Sequence, residues 1–205
     1  MSAALELRPH PLEVPPGYPH AYERDVRLRD GRRVFVRPII PSDAEALAEA
    51  FRTADVDTLR RRFLGAPPPL TPDRLRRLTT VDYGLRFALV AGNEAGRGIG
   101  LARYETEGDG RAEAAVVVDP GWRRVGLASA MIELLAQAAV ERGIDTFTAT
   151  YLAENRPVTA LVNLAGDTGA RVIRQGIADI AVRLDRERRA ATNDGEDEDD
   201  GEPRR

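Results

Sequence analysis

Ala112-Glu113-Ala114-Ala115-Val116-Val117-Val118-Asp119-Pro120-Gly121-Trp122-Arg123-Arg124-Val125-Gly126-Leu127-Ala128-Ser129 joins an apolar run to an amphipathic segment through a short turn. The run 112–118 is nearly unbroken, the pattern of a strand covered on both faces and therefore central in a sheet. Asp119-Pro120-Gly121-Trp122 turns the chain. From 126 to 142, Leu127, Ala128, Met131, Ile132, Leu135, Ala136, Ala139 and Val140 form a wide apolar stripe. That spacing predicts a helix lying on a sheet, closed by Gly143. A strand–loop–helix junction presents unpaired backbone N–H groups at the positive end of the helix dipole. Gly126 removes a side chain so that a ligand can approach the backbone, and small Ala128 does the same one step on. Arg123 and Arg124 add charge on the same rim, and the natural guest is a pyrophosphate. The loop is too short for a Walker A loop, lacks its lysine and is not G-x-G-x-x-G, so P-loop and Rossmann assignments fit poorly.

Upstream, Val26-Arg27-Leu28-Arg29 alternates, Asp30-Gly31 reads as a hairpin turn, and Val34-Phe35-Val36 resumes as strand. Ser42, with Glu45 three residues on, predicts a capping box for a helix whose inner face is Ala44, Leu47, Ala48 and Phe51. A second helix is expected through 59–63, ending at Gly65, and a third from Thr71-Pro72 with Leu75 and Leu78 inward. Strands follow at 87–90 and 99–104. Downstream of the long helix, a strand is expected at 144–151, a helix at 157–164, and a pair of strands about Gly176 within 170–184. The order β–β–α–α–α–β–β–β–α–β–α–β–β implies an α+β fold, a mixed central sheet flanked by helices. Residues 1–21, rich in proline, read as a flexible leader, 22–184 as one domain, and 185–205 as a disordered acidic tail.

Composition narrows the chemistry. The 205 residues include no cysteine, which excludes disulfides, zinc fingers and a cysteine nucleophile. Both histidines, His10 and His20, sit in the leader, so neither a His triad nor a His-rich metal site is expected. All 30 basic residues are arginine, so Schiff-base and P-loop lysines are absent as well. The net charge of −3 conceals an asymmetry. Seven acids against three arginines fall within 189–205, leaving 26 acids and 27 arginines elsewhere, about +1. A body so nearly neutral does not point to nucleic acid. No apolar run reaches the roughly 20 residues of a membrane span and no signal peptide is recognisable, so a cytoplasmic protein is expected.

The spacing Arg123-x-x-Gly126-x-Ala128, placed after this strand and before this helix, resembles motif A of the GNAT superfamily of N-acetyltransferases. The element order from about Val26 to Leu184 is similar too. Val36-Arg37-Pro38-Ile39 with Pro41-Ser42-Asp43-Ala44, then 78–83 leading into Ala88-Leu89-Val90, and Ala112-Glu113-Ala114 resemble bacterial protein lysine acetyltransferases, actinobacterial ones among them. Some of those carry a regulatory domain; no segment of that size fits here, and a stand-alone catalytic domain is expected. The resemblance implies acetyl-CoA as cosubstrate, bound at a splay between two central strands. It places backbone groups of Val116, Val117 and Val118 along the pantetheine arm, with those of Val116 and Val118 pairing with it. The amides of Arg123, Arg124, Val125, Gly126, Leu127 and Ala128, with Ser129, would hold the pyrophosphate, and Asn155 would contact the cofactor arm. Asn155 reads equally well as a helix cap before Pro157.

An alkylammonium has a pKa near 10.4, so transfer to an amine needs a base. Glu113 is the only acid in 112–118 and matches the general-base glutamate of those relatives. Burial in an apolar strand would suit it to that role. The family's tyrosine acid has no counterpart in 157–166, and Tyr151 is close only in sequence. The acceptor implied is a protein lysine. Acetylation of a small amine, such as a polyamine or an antibiotic, and a catalytically silent acyl-CoA-binding module are the alternatives. Oligomeric state is left open.

Overall fold

A computed structural model describes residues 14–185. The parts of the expected leader and tail at 1–13 and 186–205 lie outside the described residues. A hairpin opens the domain: β1 (Arg24–Arg27) and β2 (Arg33–Pro38) meet around Gly31, whose φ of 88° suits the turn. Three helices follow, α1 (Ala44–Thr53), α2 (Val56–Phe63) and α3 (Pro72–Thr79). Next come β3 (Arg86–Asn93), β4 (Gly98–Gly108), β5 (Arg111–Val118), α4 (Leu127–Glu141) and β6 (Thr146–Leu152). The domain ends with α5 (Arg156–Ala165), β7 (Gly166–Thr168), β8 (Val172–Arg174) and β9 (Ile177–Leu184). One sheet runs β1-β2-β3-β4-β5-β6-β9-β7, with β8 also on β9. Every pairing is antiparallel except β5–β6. A parallel pair needs a crossover, and α4 supplies it.

Strand alternation separates two faces. Phe87, Leu89 and Ala91 of β3, Ala102 and Tyr104 of β4, and Ala112 and Val118 of β5 belong to the main core, together with Leu127, Met131 and Leu135 of α4. Ala88 and Val90 point the other way, into a small cluster with Ile39. Cross-strand register puts Arg86, then Arg103 and Glu105, then Glu113, Ala115 and Val117 on that second face. The helices α2 and α3 lie there: α2 packs on β5 and β6, and Arg77 of α3 bonds Glu105.

Four expectations are corrected. The capping box at Ser42 does not form; α1 begins after a 3₁₀ turn, Pro41–Asp43, and its cap makes no side-chain hydrogen bond. Asp43 governs the turn instead. Its buried carboxylate accepts 2.8 and 2.7 Å bonds from the Arg37 guanidinium and a 2.8 Å bond from the Ile40 N–H. A buried ion pair so fully bonded outweighs an exposed serine cap. Part of the expected leader is packed: Tyr18 is 7% exposed and joins the core, because its ring meets Tyr83 edge-on at 5.8 Å. The short β7 adds a strand that three residues of unremarkable sequence do not announce. The fourth concerns β5, which is half-buried over 114–117 rather than covered on both faces.

Candidate active site

The exposure of β5 has a geometric cause. Pairing with β6 covers only Arg111↔Thr146, Ala112↔Phe147 and Glu113↔Thr148, whereas pairing with β4 continues to Val118. Beyond Glu113, β6 turns away and stays with β9 as far as Leu152. The two strands therefore fork at Glu113. The Asp119 N–H donates to the Ile99 carbonyl at 2.9 Å, which fixes the phase of the β4–β5 ladder. In that phase residues 113, 115 and 117 bond β4, and the N–H and C=O groups of Ala114, Val116 and Val118 face the fork. The Val118 carbonyl is already taken by Arg123 Nε at 3.1 Å. Among the described residues no strand pairs with the fork side of Val116, which leaves an edge able to accept an amide-bearing chain as an added strand.

The loop after β5 ends in a cradle of donors. Arg124 (φ 62°) and Gly126 (φ 97°) are both left-handed, and Gly126 caps α4 without any side-chain acceptor at the helix end. The Ala130 N–H closes the first helical bond on the Gly126 carbonyl at 3.1 Å. The amides of Leu127, Ala128 and Ser129 thus precede the intrahelical ladder, at the positive end of its dipole. Leu127 can offer only its amide, since its side chain is buried in the core. These donors fit a diphosphate, and the free strand edge fits a pantetheine arm.

Two arginines join this loop from the β1–β2 hairpin. The Arg29 N–H donates to the Val125 carbonyl at 3.0 Å, and a Cβ placed on Gly126 would lie 3.6 Å from Arg29 Nε. Arg32 Nη2 donates to the Gly121 carbonyl at 3.2 Å, while its guanidinium stacks 3.8 Å from the Trp122 ring centre. The contact spans nearly the whole N-terminal half of the domain, and local spacing gives no sign of it. Arg123 departs from its expected place on the rim. Besides the Val118 carbonyl, it donates to Thr58 Oγ1 at 2.5 Å and so ties the cradle to α2. Thr58 in turn gives its amide and hydroxyl to Asp55, the cap of α2, and these bonds hold the Asp55 carboxyl below its usual pKa.

Glu113 stands at the fork on the face crossed by α2, opposite Glu105 on β4 and beside Thr148 on β6. The burial expected for it is not found: Glu113 is exposed, because it lies near the start of β5 where the sheet face opens. Among the described residues it forms no ion pair within 4 Å; Arg103, a candidate partner, bonds Glu105 instead at 3.3 Å. At about 3.3 Å per residue, Val116 is roughly 10 Å along the strand from Glu113. Asn155 caps α5 in position only; its half-buried side chain makes no capping bond. Tyr151, at 4% exposure on β6, has a buried hydroxyl without a hydrogen-bond partner. No described helix is long and apolar enough to cross a membrane.

Comparison with known proteins converges on the same architecture. Residues 33–166 match the acetyltransferase (GNAT) domain family. An acetyltransferase of Pseudomonas aeruginosa is 30% identical over 148 residues, covering 70% of this chain and 80% of that one. The acetyltransferase Pat of Mycolicibacterium smegmatis is 30% identical over 149 residues, 71% of this chain but only 44% of that longer protein. The crystal structure of the GNAT domain of S. lividans PAT superposes with a TM-score of 0.73 at 31% identity, covering 82% of this chain and 99% of that domain.

Proposed function

Because the chain belongs to the GNAT acetyltransferase family, we propose that it acetylates lysine side chains of proteins, with Glu113 as general base. The family reaction is N-acetyl transfer, and acetyl-CoA is the family's cosubstrate. The protein-lysine reading is supported by the resemblance of Ala112-Glu113-Ala114 and its flanking segments to protein lysine acetyltransferases. The observation that carries it is the position of Glu113: it is exposed, at the fork, on the face away from α4. A base there is reachable by a side chain presented from the surface of another protein.

Acetyl-CoA supplies the activated acyl group. The amides of Leu127, Ala128 and Ser129 bind its diphosphate, and Val116 pairs with its arm, with Asn155 on the far side of the fork. Glu113 accepts a proton from the acceptor's ammonium, directly or through one water, and so frees the lone pair that attacks the thioester carbon. The Val116 N–H, facing the fork, donates to the carbonyl oxygen as negative charge builds on it. As the C–N bond forms and the C–S bond breaks, the attacking nitrogen gives up its second proton to solvent, leaving the neutral amide, and the thiolate leaves and takes a proton from solvent, since a thiol pKa near 8.5 makes it a ready leaving group. Arg123 and Thr58 keep the cradle and α2 in register.

The test follows release of free thiol from acetyl-CoA with a lysine-bearing protein, for wild type and Glu113→Gln. General-base loss should lower kcat by about 10²–10⁴-fold with coenzyme A affinity unchanged by calorimetry. An unchanged kcat removes Glu113 from the mechanism. The chain contains no lysine, so acetylation of its own side chains cannot contribute to the signal.

A further inference from the structure

Around Glu113 the sheet face carries more cations than its acids can engage. Glu105, directly across β4, is shared by Arg77 of α3 and by Arg103, whose Nη2 lies 3.3 Å from it. Asp82 holds Arg86, the cross-strand neighbour of Glu105, at 3.2 Å. Arg62 of α2 and Arg74 of α3 are both half-buried, and among the described residues neither has a carboxylate within 4 Å. Arg62 stands one turn after Thr58, which accepts from Arg123 on an α2 packed against β5, and Arg74 one turn before Arg77, which bonds Glu105, the cross-strand partner of Glu113. Burial draws the Arg62 guanidinium below its ordinary pKa, the Glu113 charge opposes the fall, and Arg74 adds to it. Burial likewise lowers Arg103, against the pull of Glu105, with Arg62, Arg77 and Arg86 repelling it. Two neighbouring guanidinium groups, partly removed from water and without a bonded counter-ion, are an unfavourable arrangement that a bound anion relieves.

We propose that the acceptor carries an anionic group, carboxylate or phosphate, beside the amine it presents to Glu113, and that Arg62 and Arg74 receive that group. This deepens, and rests on, the reading of Glu113 as the base. A guanidinium fork meets either anion through two parallel N–H bonds, so position as well as charge is specified. The same cations disfavour a second ammonium in the cleft, which sets polyamines apart as poor acceptors. They also favour the neutral amine over the ammonium, the form that attacks. The anion has two possible sources, an acidic residue flanking a protein lysine or an acidic group on a small amine.

Equal-length peptides bearing one lysine flanked by Asp, by Asn or by Arg, together with free amino acids and aminoalkyl phosphates, are compared by thiol release. The proteins are wild type, Arg62→Gln/Arg74→Gln, and Arg62→Lys. Binding of a fluorescent Asp-flanked peptide is measured in parallel by anisotropy, without turnover. Wild type should favour the Asp-flanked over the Arg-flanked peptide by at least about tenfold in kcat/KM. The double variant should lose that preference to within about threefold while still binding acetyl-CoA, and Arg62→Lys should keep part of it. Preference for the small anionic amines over every peptide supports the anion site and assigns the anion to a small molecule. Equal use of all three peptides by wild type, or a preference that survives in the double variant, overturns the proposal and leaves the acetyltransferase reading standing. Arg62- and Arg74-dependent binding with no turnover of any acceptor supports the anion site and removes the base; absence of both binding and turnover sinks both.

Discussion

At φ 97° the Gly126 backbone lies where L side chains are strained, and the nearest atoms a Cβ there would meet belong to the Arg29 side chain, 3.6 Å away. Gly126→Ala therefore tests two effects that can be told apart. Holding alanine in the left-handed region costs about 1–2 kcal/mol, a fall in Tm of roughly 2–8 °C for a chain of this size. The added methyl also stands at the helix N-terminus proposed to receive the diphosphate of acetyl-CoA. Coenzyme A affinity, by calorimetry, should fall by about tenfold or more even at temperatures where the variant is fully folded. Lower stability with unaltered affinity would mean that the glycine serves only the turn. This residue was legible in the sequence because its role is local: a glycine between a strand and a helix. Arg29 and Thr58 were not, since each reaches the cradle through tertiary contacts that no local spacing encodes.

Elements followed the same division. The helix α4 was readable because its apolar stripe repeats at helical spacing, and α3 because Thr71 caps it through the Arg74 N–H at 3.2 Å. The fork was not readable, since where β6 leaves β5 depends on the pull of β9 across seven paired positions. Nor was the α1 start, where a buried Arg37–Asp43 pair displaced the serine cap that local rules favoured. The strand β7 offers the element-level prediction. A Cβ on Gly166 would lie 1.9 Å from the Arg183 carbonyl oxygen, and both positions are set by the main chain, so no rotamer change can separate them. Gly166→Ala must then push β7 off β9, losing the Gly166↔Leu184 pairing and its neighbours. The expected cost is about 2–3 kcal/mol, seen as a lower urea midpoint together with faster amide exchange over 166–168. Unchanged exchange there would show that β7 pairs in another way.

The whole chain combines two compositional facts, no lysine and five tyrosines, every one of them buried. Rings pass through the core in sequence: Tyr18 to Tyr83 at 5.8 Å, Tyr83 to Phe87 at 6.3 Å, Phe87 to Tyr104 at 5.8 Å, and Tyr104 to Phe147 at 5.9 Å. Burial is the largest cause raising four of these phenols; Tyr22 and Tyr83 are pushed up to about 12, and Tyr18 and Tyr104 higher. In the unfolded chain each titrates near 10. As pH rises past 10 the unfolded state loses these protons first, so stability is fully present below about pH 9 and declines until the folded phenols ionise. For Tyr22 and Tyr83, two pKa units each correspond to about 2–3 kcal/mol lost between pH 10 and 12. Lysine ammonium groups, which discharge over the same range in most proteins, are missing here, and arginine keeps its charge throughout. The urea midpoint should hold level to about pH 9 and then fall steeply, with the tyrosinate absorbance of Tyr18, Tyr22, Tyr83 and Tyr104 rising together with unfolding rather than before it. Tyr83→Phe separates this linkage from simple packing. It gives up the 2.7 Å bond from the hydroxyl to the Ile39 carbonyl, costing about 1 kcal/mol at neutral pH. It also removes one titrating group, so its midpoint should fall less steeply above pH 10 and approach or cross that of wild type near pH 12. Native tyrosinate absorbance that climbs at pH 10 without unfolding, or a Tyr83→Phe curve parallel to wild type, would place the phenols in contact with water and dissolve the linkage.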